Sequence, residues 1–280
     1  MSKTILIVGA NSALARETIP ILALDNTIVT AGRINCDVYC NITEAVVVPK
    51  GIDIVINFSA AFDSLHEESA GIIYKTNTLG LLNVCMGAKV ANVPYVINIS
   101  SAFALLSPSS TFYSTYALSK KHADELADHY CKENSIALLT LRPSQIYADS
   151  NAQANHHPFF YKIVNAAEKG EDITLFGEGS SQRNFIHSSD VAEIIARSIK
   201  LEIVGSYNCV YSENVSYKQI AETALSVFGK GGTIVFDQEK TETLDNNFSS
   251  DTALFDLIDY TPSIDIKTGI SRIKAHRERS

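Results

Sequence analysis

Along the first half of the chain, short β-branched apolar runs alternate with longer segments whose apolar residues recur every three or four positions. The runs Thr4–Val8, Thr27–Ala31, Asp37–Asn41, Asp53–Phe58, Tyr95–Ser100 and Ile136–Leu141 predict strands. The segments Ala13–Leu24, Ser64–Ala91 and Thr115–Glu133 predict the helices between them. This alternation is what βαβ units around a parallel sheet require. Only a handful of residues separate the second and third strands, too few for a crossover helix, so that part of the fold is expected to be abbreviated. After Pro143 the texture changes. A loop rich in Asn, His and Ser (Ser150–Pro158) leads to a helix over Phe159–Lys169 and a turn at Gly177-Glu178-Gly179. Then come a strand and helix in Asn184–Ile199, a strand at Tyr207–Val210 and a helix at Tyr217–Phe228. The basic stretch Lys267–Arg279 reads as a closing amphipathic helix. The pattern therefore predicts an α/β, doubly wound parallel sheet over residues 1–147, rejoined by elements of about 184–210. A smaller C-terminal lobe is expected from residues 148–183 and 211–280.

Composition narrows this picture. At 280 residues with 46% hydrophobic and 19% charged content, the chain can bury a sizeable core. A net charge of -8 argues against nucleic-acid binding, which needs a basic surface. The five cysteines are scattered, without a CxxC pair, and read as reduced thiols. Cys36 and Cys40 have no third or fourth ligand nearby, and His156-His157 before Pro158 fits a solvated loop, so no metal is expected. The first strand begins after Met1-Ser2-Lys3, without a signal-peptide layout, and no apolar run reaches the length of a membrane span. A cytoplasmic protein without membrane association is the expectation.

Two stretches carry chemistry. The first strand runs into Gly9-Ala10-Asn11-Ser12-Ala13-Leu14-Ala15, where small residues let a pyrophosphate approach the amides of a helix N-terminus. Gly9, Asn11, Ser12, Ala13 and Leu14 are therefore candidate dinucleotide contacts. After the second strand, where an NAD enzyme places an acid on the ribose diol, the chain has Ala31-Gly32-Arg33. Arg33 would instead neutralise a 2′-phosphate, favouring NADP(H), with NAD(H) as the alternative. Asn41 and Ile42 are placed to meet the adenine, and Phe58, Ser59 and Ala60 offer small surfaces toward the nicotinamide. Later, Tyr116-Ala117-Leu118-Ser119-Lys120 puts a phenol and an ammonium on one helical face. The cation favours the phenolate, bringing a group of pKa about 10 closer to neutral chemistry. Ser100-Ser101 ends the preceding strand, at the edge where open α/β sheets bind ligands.

A glycine-bearing βα turn, a serine ending the fifth strand and YxxxK on the next helix resemble the short-chain dehydrogenase/reductase superfamily. Further runs resemble its extended, nucleotide-sugar-modifying branch, the NAD-dependent epimerase/dehydratase family. They are Thr76-Asn77-Thr78-Leu79-Gly80, Leu141-Arg142-Pro143-Ser144-Gln145-Ile146-Tyr147, the stretch Gly177–His187 continued by Asp190-Val191-Ala192, and Tyr207-Asn208. The likeness covers residues 4 to about 228. It implies a Rossmann-type cofactor domain and a substrate-binding C-terminal lobe. It also implies Tyr116 as general acid or base, Lys120 as the group lowering its pKa and holding the nicotinamide ribose, and Ser101 as the hydrogen bond to the reacting oxygen, with Ser100 the alternative. Asn77, Pro143 and Ile146 fall among the implied cofactor contacts, and Gln145 and Arg183 on the substrate diphosphate. A homodimer through the Ser64–Ala91 and Thr115–Glu133 helices is implied as well. The chain departs from the family in keeping one glycine of the turn, in Ala148 after Tyr147 and in Asn184 after Arg183.

The reaction follows partly by elimination. The family's 4,6-dehydratases need an Asp-Glu pair after the serine, and its 3,5-epimerase-reductases a Cys two residues after it. Here Ala102-Phe103 occupy those positions and transfer no protons. Reduction of a nucleotide-linked 4-keto-6-deoxyhexose and C4 epimerisation remain. Arg33 and the abbreviated crossover favour the reductase. A catalytically inactive NAD(P)-binding regulator is the reading from another class, opposed by the complete Ser101, Tyr116 and Lys120 set.

Overall fold

A computed structural model describes residues 2–62, 69–249 and 251–279. In chain order the elements begin β1 (Thr4–Val8), α1 (Ala13–Leu22), β2 (Thr27–Gly32), β3 (Val38–Tyr39), β4 (Ile54–Asn57), α2 (Ser69–Tyr74), a π-helical turn (Lys75–Leu79), α3 (Gly80–Val90) and β5 (Tyr95–Ile99). They continue α4 (Thr115–Glu133), β6 (Ala137–Pro143), β7 (Gln145–Tyr147), α5 (Pro158–Lys169), β8 (Ile173–Phe176), β9 (Gln182–Arg183), β10 (Phe185–His187), α6 (Ser188–Lys200) and β11 (Gly205–Cys209). The chain closes with β12 (Val215–Ser216), α7 (Tyr217–Phe228), β13 (Ile234–Asp237), α8 (Ala253–Ile258) and α9 (Ile266–Arg277).

Two compact units result, 1–143 with 192–209, and 144–191 with 210–280. The first holds a seven-stranded sheet in the order β11-β6-β5-β4-β1-β2-β3, parallel at every pairing. Its central strands β1, β4 and β5 are buried on both faces, as a sheet covered on both sides demands. Leu6, Val55, Val96 and Leu138 pack with Leu81, Val84, Cys85 and Ala88 of α3 and Ala123, Ala127 and Cys131 of α4. Ile5, Ile7, Ile54, Ile56, Ile97 and Leu139 alternate with them and are equally buried. The expected shortcut between β2 and β3 is present, and Asp37 stitches it. Its carboxylate accepts from the Thr30 N–H at 2.8 Å and the Thr30 hydroxyl at 2.7 Å.

The helix expected over Ser64–Ala91 is interrupted. Its residues 64–68 lie outside the described residues, and the remainder breaks into α2, the π turn and α3. A π turn inserts an extra residue and rotates the side chains within it. Here it turns Asn77 and Thr78 onto α4, where the Thr78 hydroxyl donates to the Ser119 carbonyl at 2.9 Å.

The second unit has its own core, in which Tyr147, Phe160, Tyr161 and Phe185 pack with Ile220, Ala224, Ile270 and Ile273. The division falls at residues 143/144 and 191/192, where the pattern suggested 147 and 184. The physical reason is that β7 and β10 pair with each other, Gln145↔Phe185 to Tyr147↔His187, rather than with the seven-stranded sheet. Arg272 of α9 grips Asp149 with Nη2 at 2.8 Å, and His187 Nε2 approaches the same carboxylate at 2.9 Å. Burial works to raise the Asp149 carboxyl, but His187 and Arg272 outweigh it and hold it at about 2.

Asp190 is fully buried at the start of α6. It accepts from the Tyr260 hydroxyl at 2.6 Å and from the N–H groups of Ser263 and Ile264 at 3.2 and 3.1 Å. Three donors lose their acceptor in Asp190→Ala, and an orphaned buried polar group costs roughly 1–3 kcal/mol. Urea unfolding of that variant is expected to show a loss of about 3 kcal/mol; an unchanged midpoint would deny Asp190 this role.

Candidate active site

The cofactor candidates of the first unit surround the turn after β1. Gly9 has φ +76°, and a Cβ there would lie 2.6 Å from Ser59 Oγ and 2.8 Å from the Ser59 nitrogen. Only glycine accepts both the left-handed backbone and that approach. The Gly9 N–H donates to the Ala31 carbonyl at 2.9 Å, fixing the turn against β2. Ser12 caps α1, its hydroxyl accepting from the Ala15 N–H at 3.3 Å. The leading N–H groups of Ala13 and Leu14 have no intrahelical acceptor, the arrangement that receives an anion. A close-approach glycine turned into a capped helix start fits the pyrophosphate of a dinucleotide.

Around that turn the other candidates divide. Asn11 spans to the loop after β2, donating to the Ile34 carbonyl at 2.6 Å. Arg33 in the same loop is exposed and makes no hydrogen bond or ion pair among the described residues. Ile42 is buried, while Asn41 is committed to a local turn, its Nδ2 donating to Glu44 at 2.8 Å and its Oδ1 accepting from the Thr43 hydroxyl at 3.0 Å. Phe58 is buried, Ser59 and Ala60 half-buried, and the Ser59 N–H donates to Asn57 Oδ1 at 3.1 Å.

Asn77 proves to be a clamp. Its Oδ1 accepts from the Ala61 N–H and its Nδ2 donates to the Ala61 carbonyl, both at 2.8 Å. The same Nδ2 reaches Ser119 Oγ at 3.0 Å. With both ends of the amide engaged by protein, Asn77 shapes the segment after β4 rather than offering its side chain to a ligand.

Ser101, Tyr116 and Lys120 come together at the C-terminal edge of the sheet. Ser114 caps α4, accepting from the Ala117 N–H at 3.3 Å, and so sets Tyr116 in the first turn. The Lys120 ammonium lies 6.0 Å from the Tyr116 ring centre and donates to the Ile99 carbonyl at 3.1 Å. The Ser101 hydroxyl acts on the Tyr116 phenol, working to lower its pKa, while its Oγ accepts from the Phe103 N–H at 3.2 Å. Burial raises the phenol well above its ordinary value, with Ser101 opposing. Lys120 is 3% exposed, and burial pushes its ammonium down to about 8 against the pull of Asp124. The resting pair is thus a protonated phenol beside an ammonium whose proton is comparatively labile.

The two serines separate clearly. Ser101 turns to Tyr116, whereas Ser100 turns to Asp124 on the helix side of the sheet. Phe62 stacks on the Tyr116 ring at 4.9 Å between centres, and Phe103 meets it edge-on at 6.3 Å. The pattern of the sequence did not single out Phe62 or Asp124. Asp124 was findable, since it repeats the four-residue interval of Tyr116 and Lys120; Phe62 had no such signal.

Pro143 ends β6 in the first unit, while Gln145, Ile146 and Arg183 belong to the second. Ile146 pairs with Ile186, and the buried Gln145 Oε1 has no hydrogen-bond partner among the described residues. Arg183 is 4% exposed, and both its Nη groups are engaged: Nη1 by the Gln182 and Leu244 carbonyls at 2.6 and 2.9 Å, Nη2 by Thr243 Oγ1 at 2.8 Å. Its guanidinium also lies 5.1 Å from the Tyr217 ring centre. Arg183 thus anchors residues 243–246 over β9, a partner segment that no sequence signal announced. The described residues contain no grouping of three His, Cys, Asp or Glu able to hold a metal ion, and no helix long and apolar enough to cross a membrane.

The profile of the NAD dependent epimerase/dehydratase family matches residues 9–209. Among curated proteins, a dTDP-4-dehydro-6-deoxy-D-allose reductase of Streptomyces bikiniensis is 25% identical over 159 residues, 55% of this chain and 48% of the reductase. The chain thus spans about half the length of the first curated relatives it matches, 48% and 45%. The fold matches the UDP-glucose 4-epimerase of Thermotoga maritima at a TM-score of 0.84 with 13% identity, over 99% of both chains. It matches RMD from Pseudomonas aeruginosa, solved with NADPH, at 0.80 with 16% identity, again over 99% of both. The chain belongs to the NAD dependent epimerase/dehydratase family.

The Gly9 turn yields a direct check. In Gly9→Ala the new methyl enters Ser59 and the backbone is strained, so NAD(P)H affinity, read by nicotinamide fluorescence, is expected to fall more than about tenfold. Retention of wild-type affinity would move the pyrophosphate elsewhere.

Proposed function

We propose that this protein reduces the ketone of a nucleotide-linked 4-keto-6-deoxyhexose. The observation that carries this reading is the Lys120 ammonium 6.0 Å from the Tyr116 ring centre, beside Ser101 at the end of β5, with no acid or thiol following Ser101. Ser101 orients the carbonyl oxygen of the sugar, and Tyr116 delivers a proton to it. The ammonium of Lys120 stabilises the phenolate left behind. A bound reduced nicotinamide supplies the hydride. Gly9, Ser12, Ala13 and Leu14 receive its pyrophosphate, and Arg33 its 2′-phosphate, making NADPH the preferred form. Asn11, Ile42, Phe58, Ser59 and Ala60 line its remaining length. Ala102 and Phe103, where proton-transfer groups would stand in a dehydratase, support simple reduction. So does the reductase relative, named for a 4-dehydro-6-deoxyhexose.

The substrate diphosphate falls to Gln145, whose side-chain NH2 would donate to it, with Arg183 shaping the neighbouring loop. Ile72, Leu79 and Met86, seven residues apart, and Val90 are exposed along α2–α3, which supports pairing of two copies through this face. The free cysteines support a reducing, cytoplasmic setting.

C4 epimerisation is the second reading, because it draws on the same three residues. Stoichiometric NAD(H) released on denaturing the purified protein would favour it.

The deciding assay is NADPH oxidation at 340 nm with dTDP-4-keto-6-deoxyglucose as probe. Tyr116→Phe is expected to lower kcat/KM at least about a hundredfold while leaving cofactor affinity intact. The wild-type rate is expected to decline above about pH 8, as Lys120 loses the proton that burial has loosened. No substrate-dependent oxidation by the wild type would sink the proposal. Arg33→Ser should weaken NADPH about tenfold and leave NADH unchanged; equal effects on both would remove the 2′-phosphate assignment.

A further inference from the structure

Tyr116, Lys120 and Asp124 recur at four-residue intervals, so one face of α4 presents a phenol, an ammonium and a carboxylate in succession. The proposed reaction uses only the first two. Asp124 is 5% exposed, and its Oδ2 accepts from Arg142 Nε of β6 at 2.8 Å. Among the described residues its Oδ1 is buried without a hydrogen-bond partner, as is the Ser100 hydroxyl that faces Asp124 from the end of β5. Burial pushes the Asp124 carboxyl up, and Ser100, Arg142 and Lys120 push it back.

Among the described residues, Lys120 is faced from its own helix and from β5 and β6. Tyr116 and Asp124 lie on its own helix, β5 supplies the Ile99 carbonyl and Ser100, and β6 supplies Arg142 through Asp124. The π turn contributes Asn77 and Thr78 on the adjacent Ser119, neither of which titrates. With Tyr116 protonated, the cluster therefore holds two cations and one anion. Removing the anion would leave two cations in a site closed to water. Arginine does not release its proton there, so the strain falls on the lysine.

We propose that Asp124, held by Arg142, is a positioning residue that keeps Lys120 in its ammonium form and so sets the upper pH limit of the Tyr116–Lys120 pair. This rests on the roles assigned to Tyr116 and Lys120 above. Asp124 touches neither substrate nor cofactor and acts through Lys120.

The test is an NMR titration of the full chain without cofactor or substrate, using ¹³C-lysine and ¹³C-aspartate, with Lys120 assigned from Lys120→Met and Asp124 from Asp124→Asn. In the wild type Lys120 should titrate near 8. In Asp124→Asn it should fall by about one pH unit or more, and in Asp124→Glu return toward the wild-type value. The coupling is reciprocal, so in Lys120→Met the Asp124 carboxyl must titrate higher than in the wild type. That variant removes a buried charge and keeps the apolar stem, so it decides the matter even if Asp124→Asn fails to fold. A Lys120 titration unmoved in Asp124→Asn, or an Asp124 titration unmoved in Lys120→Met, overturns the proposal. Coupled titrations in a protein without ketoreductase turnover would remove the reaction reading and leave this inference standing. An active enzyme with uncoupled titrations would do the reverse.

Discussion

Placing a lysine ammonium where water cannot reach it penalises the folded state by several kcal/mol unless polar partners surround the charge. In this protein that burden falls at Lys120, and much of the first unit is arranged about it. The carbonyl of Ile99 is the last of β5 and accepts from the Lys120 ammonium. Asp124 stands one helical turn further along α4, where Arg142 from β6 fixes its carboxylate. Asn77, turned inward by the π segment, ties Ser119 and the segment after β4 to the same helix. An ammonium so placed lowers the energy of a phenolate at Tyr116, which is the property the proposed reduction uses.

The same reasoning separates residues that hold a ligand from residues that hold the holder. Gly9 and the start of α1 are open in the sense that matters, with backbone N–H groups lacking acceptors and no Cβ in the way. Asn77 and the Nη groups of Arg183 are engaged by protein, through the Ala61 carbonyl and through the Gln182 and Leu244 carbonyls. Residue type alone would rank an arginine and an asparagine as good ligand contacts. The number of donors already satisfied is what lowers that ranking.

Much of the scaffold was legible in the chain. The apolar runs gave β1 to β6 to within two residues at each end, because a strand buried on both faces is mostly apolar. The close spacing of β2 and β3 announced the missing crossover, which Asp37 then stabilises through Thr30. Ser101, Tyr116 and Lys120 were legible because strand ends and four-residue helical spacing translate directly into shared position. The π turn was not, since nothing in the residues of Lys75–Leu79 marks where a helix takes in an extra residue. Nor was the separate pairing of β7 with β10, because a three-residue apolar run does not name its partner.

The amino-acid sequence by itself determined the alternation of strands and helices, the parallel sheet they must form, and the chemistry available at its C-terminal edge. These are properties of periodicity and of residue type, which act locally along the chain. Tertiary structure alone decided which serine faces the phenol, that Asp124 backs Lys120, and that Arg183 anchors residues 243–246. Those outcomes depend on burial and on contacts between segments distant in sequence. Burial sets the protonation of Tyr116 and Lys120, and distant contacts decide which donors remain free; no local pattern encodes either.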